Sequence, residues 1–98
     1  MKNKAKLLEC DEFVDLILGF VLMNSDTRNV MGDDEVKKTE LLLKAKGFVN
    51  EDTRWISVVS VKLSGTTNYR LYINEYSARN SYSSFEITSE FIKQRFNR

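Results

Sequence analysis

Hydrophobic residues along this chain follow two different rhythms. From Asp11 to about Asn24 they crowd together as Phe13, Val14, Leu16, Ile17, Leu18, Phe20, Val21, Leu22 and Met23, with only Glu12, Asp15 and Gly19 between them. On a helix these positions surround nearly the whole cylinder, and a helix apolar on almost every side must be buried on most of them. Asp11 suits its N-cap and Glu12 opposes the dipole in its first turn. The pattern predicts a second helix from Asp34 to Lys46, with Leu41, Leu42 and Ala45 as its buried side and Val36 and Leu43 at the flank. Gly47 then fits the left-handed position after the last turn, with Phe48 packing back on it. Between the helices, NSDTRNVMGDDE (Asn24–Glu35) is polar and reads as a loop. Residues 1–9 read as a frayed tail or a short extra strand or helix.

From Trp55 to Ile87 the rhythm becomes alternation, and turn residues at Ser64–Asn68 and Ser77–Ser81 divide the stretch into three antiparallel strands. Loops of five residues would pair Leu63 with Tyr69, Val61 with Leu71, Val59 with Ile73, Ile73 with Phe85 and Leu71 with Ile87. One face then carries Trp55, Val59, Val61, Leu63, Tyr69, Leu71, Ile73, Phe85 and Ile87, broken by Ser57, Ser83 and Glu75. This is the expected core face. The other carries Ile56, Val58, Ser60, Lys62, Arg70, Tyr72, Asn74, Tyr76, Tyr82, Ser84 and Glu86. An even first loop would exchange the two sets on the first strand, because a one-residue slip reverses every side chain. Thr88 then caps a short final helix, SEFIKQRFNR, with Phe91, Ile92 and Phe96 on one side. The fold class expected is α+β in a single domain over residues 1–98: two N-terminal helices, a three-stranded antiparallel meander and a short C-terminal helix.

Composition narrows the function classes. With 15 basic and 14 acidic residues the net charge is +1, which suits neither an acidic DNA mimic nor a strongly basic nucleic-acid binder. The chain has no histidine and a single cysteine, Cys10, so histidine-based triads, the usual zinc sites and an internal disulfide drop out. No cofactor and no metal are expected. Acidic residues Glu9, Asp11, Glu12 and Asp15 break up the start as a signal peptide, and the run from Leu16 to Met23 is far shorter than the roughly 20 residues of a membrane span. The expectation is a cytoplasmic protein that does not engage membrane. Abundant lysine and asparagine are the composition of an AT-rich genome, as in a phage or other mobile element.

Candidate chemistry is sparse. Asp33, Asp34, Glu35 and Lys37 have the residue types of a metal-dependent nuclease site, but acids at a helix start are explained by the dipole. Cys10 has no base to activate it, and Glu9 and Asp11 oppose its ionisation. No enzyme is expected. The order helix, three strands, helix from Asp34 to Arg98 is similar in topology to the double-stranded RNA-binding domain. Thr88-Ser89-Glu90-Phe91 lacks the lysine cluster that family places there. A winged-helix reading would set the Asp34–Lys46 helix in a groove and Ser64–Asn68 as the wing tip, and it needs a third helix from residues 1–9.

The tyrosine-bearing face is the strongest functional feature. Lys62, Arg70, Tyr72, Asn74, Tyr76 and Tyr82 form the candidate partner-binding set, since tyrosine and arginine bury large area with a polar handle. The alternative is that a terminal segment folds across this face. The expected function is that of a small non-enzymatic binding protein, a regulator or phage-type inhibitor docking on a protein. The second candidate is an RNA- or single-stranded-DNA-binding module using the same face, aided by Lys2, Lys4, Lys6, Lys37, Lys38, Lys44 and Lys46. The nearly all-apolar first helix also raises a homodimer, with Phe13, Phe20 and Val21 as the shared surface.

Overall fold

Glycine decides how the first hairpin closes. In a computed structural model, which describes residues 1–22 and 27–97, Gly65 takes φ +73, the left-handed region open to a residue without Cβ. The chain therefore turns within Leu63–Thr66, where the Thr66 N–H donates to the Leu63 carbonyl at 3.1 Å. The Leu63 N–H then donates to the Asn68 carbonyl at 2.9 Å, which closes a loop of only Ser64, Gly65, Thr66 and Thr67. Thr66 braces it from inside: its hydroxyl donates to the Leu63 carbonyl at 2.8 Å and accepts from the Asn68 N–H at 3.1 Å. The loop is even, and the parity of everything before it follows.

The architecture is α+β, with four helices and a four-stranded antiparallel sheet. The order is α1 (Lys4–Leu7), α2 (Asp11–Leu22), β1 (Arg28–Val30), α3 (Asp33–Ala45), β2 (Trp55–Lys62), β3 (Tyr69–Tyr76), β4 (Ser81–Ile87) and α4 (Ser89–Phe96). The strands lie in the order β1-β2-β3-β4. Two elements go beyond the expected set. Short α1 forms in the first nine residues, and β1 lies inside the segment read as loop, pairing Arg28, Asn29 and Val30 with Val61, Ser60 and Val59. The expected end of the first helix at Met23 and Asn24 lies outside the described residues, as does Arg98.

Register corrects the expected faces on β2. Val58 pairs with Ile73, Val59 with Tyr72 and Ser60 with Leu71, so Ile56, Val58 and Ser60 point inward and Trp55, Ser57, Val59 and Val61 point outward. Val59 and Val61, expected in the core, are half-buried on the outer side. On β3 and β4 the faces stand as expected, although the pairing is shifted by two: Leu71 lies opposite Phe85 and Tyr69 opposite Ile87. An even shift keeps parity, so Leu71, Ile73, Phe85 and Ile87 are all buried.

All four helices contribute to one layer against the inner face. Leu7 of α1 and Phe13, Val14, Ile17, Leu18, Phe20 and Val21 of α2 join Leu43 of α3 and the inner strand residues in one core, with Phe91 and Ile92 of α4 packed against it. The side chains expected to meet a second copy, Phe13, Phe20 and Val21, are thus buried within the chain itself. Helix α3 is rotated from its expected phase: Thr39 and Leu43 are its buried residues, while Leu41 and Ala45 are exposed. Its LLL run fits several phases, and in the observed one Thr39 is fully buried, its one hydroxyl proton shared between the Glu35 carbonyl at 2.9 Å and Met31 Sδ at 3.3 Å. Gly47, at φ +76, ends the helix and sends Phe48 back into the core, as expected. Thr88 caps α4 by accepting from the Phe91 N–H at 3.0 Å, and Arg95 ties that helix to Asp11 and Asp15 of α2 at 2.7 Å each. Lys46 reaches Glu12 at 3.0 Å from the other side. Among the described residues no helix is long and apolar enough to cross a membrane.

One charge sits inside this core. The Glu75 side chain is 1% exposed, and its Oε1 accepts from the Asn50 N–H at 3.0 Å and the Thr53 hydroxyl at 2.8 Å. Its Oε2 accepts from the Ser81 hydroxyl at 3.0 Å and lies 3.7 Å from the Met1 amino group. Burial pushes the carboxyl up, but these donors and the nearby ammonium outweigh it and hold the group below its ordinary value of 4.5.

Two outcomes follow from this packing. Val58→Ala and Ile73→Ala should each cost about 1–4 kcal/mol in urea unfolding, whereas Val59→Ala on the outer side should cost clearly less. Equal losses at Val58 and Val59 would contradict the register. Because the folded-state value of Glu75 is depressed, its stabilisation is full above the unfolded-state value and is lost as pH falls through the folded-state value. Glu75→Gln should therefore destabilise by about 1–3 kcal/mol at pH 7, and its gap from wild type should narrow as pH drops below 4.5. A gap that stays constant with pH would refute the assignment.

Candidate functional site

Outward side chains form rows across the sheet. Register aligns Arg28, Val61, Arg70 and Glu86 in the first row, then Val30, Val59, Tyr72 and Ser84 in the second. Ser57, Asn74 and Tyr82 make the third row, and Trp55 and Tyr76 the fourth. Among the described residues no helix covers this side: the aligned side chains are absent from the core cluster. Both terminal segments lie against the opposite layer. Lys4 sits over the inward Phe85 ring at 5.3 Å, and Arg95 is bound to α2.

Five of the six sequence-predicted site residues share this surface: Arg70, Tyr72, Asn74, Tyr76 and Tyr82. Lys62 does not. It has the parity of Ser60 and Val58 and so belongs to the helix-side face, where it is exposed at the strand end. In its place the surface gains Trp55, Val59, Val61, Arg28 and Val30, which the odd-loop expectation hid or left in a loop. Gly65 was the signal that could have revealed them, since a glycine third in the Leu63–Thr66 turn permits the shorter closure.

The surface is aromatic and apolar with few charges. The Trp55 and Tyr76 rings are stacked, with centroids 3.6 Å apart and planes 10° from parallel. Tyr72 and Tyr82 meet at 5.7 Å with a 31° tilt. The Asn74 amide donates to the Ser57 hydroxyl at 3.3 Å and fills the space between the pairs. Trp55 is still 51% exposed, Tyr82 59% and Val30 62%. The charges are Arg28, Arg70 and Glu86, and register sets Arg70 opposite Glu86. Little positive field remains.

Turning outward the more apolar alternation of β2 has a counterpart inside. Ser60 takes a core position at 1% exposure, and its hydroxyl finds no hydrogen-bond partner among the described residues. An unpaired buried hydroxyl costs on the order of 1–3 kcal/mol. Asp33, Asp34 and Glu35 occupy the first turn of α3. Cys10 is half-buried just before α2.

No protein-family model, curated protein or solved structure matches this chain, so its surface is read on its own chemistry.

Trp55 is the single tryptophan and reports on this surface directly. Acrylamide should quench its fluorescence in the folded protein, and Trp55→Ala should change unfolding free energy by less than about 1 kcal/mol beyond the loss of its stacking with Tyr76. A tryptophan shielded from acrylamide would place it in the core and overturn the outward parity of β2.

Proposed function

We propose that this chain is a non-enzymatic binding protein that regulates a protein partner by docking it on the open face of its sheet. The observation that carries this reading is the direction of β2. Trp55, Val59 and Val61 point away from the helices while Ser60 is buried without a partner. Contiguous exposed apolar surface on a soluble domain is the mark of an interaction site. Its tyrosines and tryptophan are the residue types that dominate interface energetics.

A nucleic-acid reading draws on one specific feature, the pairing of exposed aromatic rings with Arg28 and Arg70 in the same sheet. Single-strand binders stack bases on such rings. They also line the path with cations, and here one of the two arginines faces Glu86. The protein reading is favoured on that balance.

Capture from host lysate with and without nuclease separates the two readings, followed by variants of the surface. Tyr72→Ala, Tyr82→Ala and Trp55→Ala should each weaken the partner complex by about 1–2 kcal/mol or more, with folding largely kept. Binding that disappears with nuclease and falls steeply with salt would replace the protein partner by nucleic acid, and Arg70→Ala would then lower the salt slope by about one unit. If all the aromatic variants bind like wild type, the open face is not the docking surface.

A further inference from the structure

The open face is complementary to itself. Two sheets packed face to face lie about 10 Å apart, with their strands crossing near 30°. Two copies of one chain paired in this way are related by a two-fold axis between the sheets, running either along the strands or across them. An axis along the strands lays each row on the same row of the second copy with the strand order reversed. Strand β1 then lies over β4, and β2 over β3.

In the first row this sets Arg28 over Glu86 of the second copy, and Glu86 over its Arg28. Both side chains are exposed, and both are long enough to span the offset that the crossing angle introduces at the end of the sheet. The second row lays Val59 on Tyr72, and the fourth lays the stacked Trp55 and Tyr76 on the same two rings of the other copy. The third row has room to spare. Strand β1 ends at Val30, one row short, so no strand of the second copy stands beneath Tyr82. A cleft of about 500 Å³, lined in part by Val30, Val36, Trp55 and Ser57, opens at that corner, and Tyr82 is 59% exposed. An axis across the strands would turn the first row onto the fourth instead. Arg28 and Glu86 would then find no opposite charge in the row they meet, and desolvating unpaired charges is costly.

We infer that the open face closes on a second copy of this chain, about a two-fold axis along the strands, and that the partner protein gains the face by displacing that copy. Size sets the strength of this pairing. Four strands about 4.8 Å apart and 8 residues long give a footprint of roughly 500 Å² per copy, or about 1,000 Å² in all, the lower limit for a specific interface. The dimer is therefore weak and gives way to a partner that covers more area. The inference rests on the reading of this face as a docking surface, and it adds the occupant present before the partner arrives.

Sedimentation equilibrium of the full chain should show the mass doubling as concentration rises from low micromolar toward millimolar. Acrylamide quenching of Trp55, free in dilute protein, should fall over the same range. Arg28→Glu and Glu86→Arg, both at exposed positions, should each weaken the dimer by about tenfold or more, because each sets like charges against one another twice. Mixing the two variants should restore it, since each copy then offers the other an opposite charge at both places. A chain that stays monomeric throughout, a dimer indifferent to the single variants, or a mixture no stronger than its components each overturns the inference. If the natural partner is still weakened by Tyr72→Ala and Trp55→Ala in that event, the docking reading stands and the self-pairing alone falls.

Discussion

A sheet covered on one side depends on the parity of its turns. Here the hydrogen bond from Leu63 to Asn68 closes a four-residue connection between β2 and β3, and Gly65 makes the closure sterically possible. Adding or removing one residue there would rotate Trp55, Val59 and Val61 into the helices and expel Ile56 and Val58. The composition of both faces, the exposure of the aromatic rows and the position of the unpaired Ser60 all descend from that one closure. Side chains have a period of two on a strand, so no intermediate arrangement exists.

Where a stretch of sequence admits only one phase, it is readable. Leu71, Ile73, Phe85 and Ile87 alternate with polar or amphipathic neighbours, and their inward direction survives even a pairing shifted by two. Thr88 and Gly47 announce helix boundaries through specific backbone needs, a side-chain acceptor in one case and a positive φ in the other. Where both phases carry apolar residues, hydrophobicity cannot choose. WISVVSV offers Trp-Ser-Val-Val on one alternation and Ile-Val-Ser on the other, and the richer set went outward. LLL in α3 is ambiguous for the same reason, with Leu41 exposed and a threonine taking the buried place. Strand β1 was hidden because three residues in a polar segment leave too little pattern; its pairing comes from β2. The tyrosine side of the candidate surface was therefore legible, and the tryptophan and valine side was not.

The buried carboxylate of Glu75 has a consequence for how the molecule comes apart. Its partners come from residue 1, the 50–53 segment and Ser81, far apart along the chain and near one another only after folding. Releasing any one of these segments leaves an ion in the core with its hydration not yet restored, which raises the free energy of every partially open state. Local fraying at one end is thereby discouraged, and the amino-terminal segment, the 50–53 turn and the far end of the hairpin are coupled into a single cooperative unit. Native-state hydrogen exchange should then give one common opening free energy for amides in all three places; separate values would mean that the carboxylate does not join them.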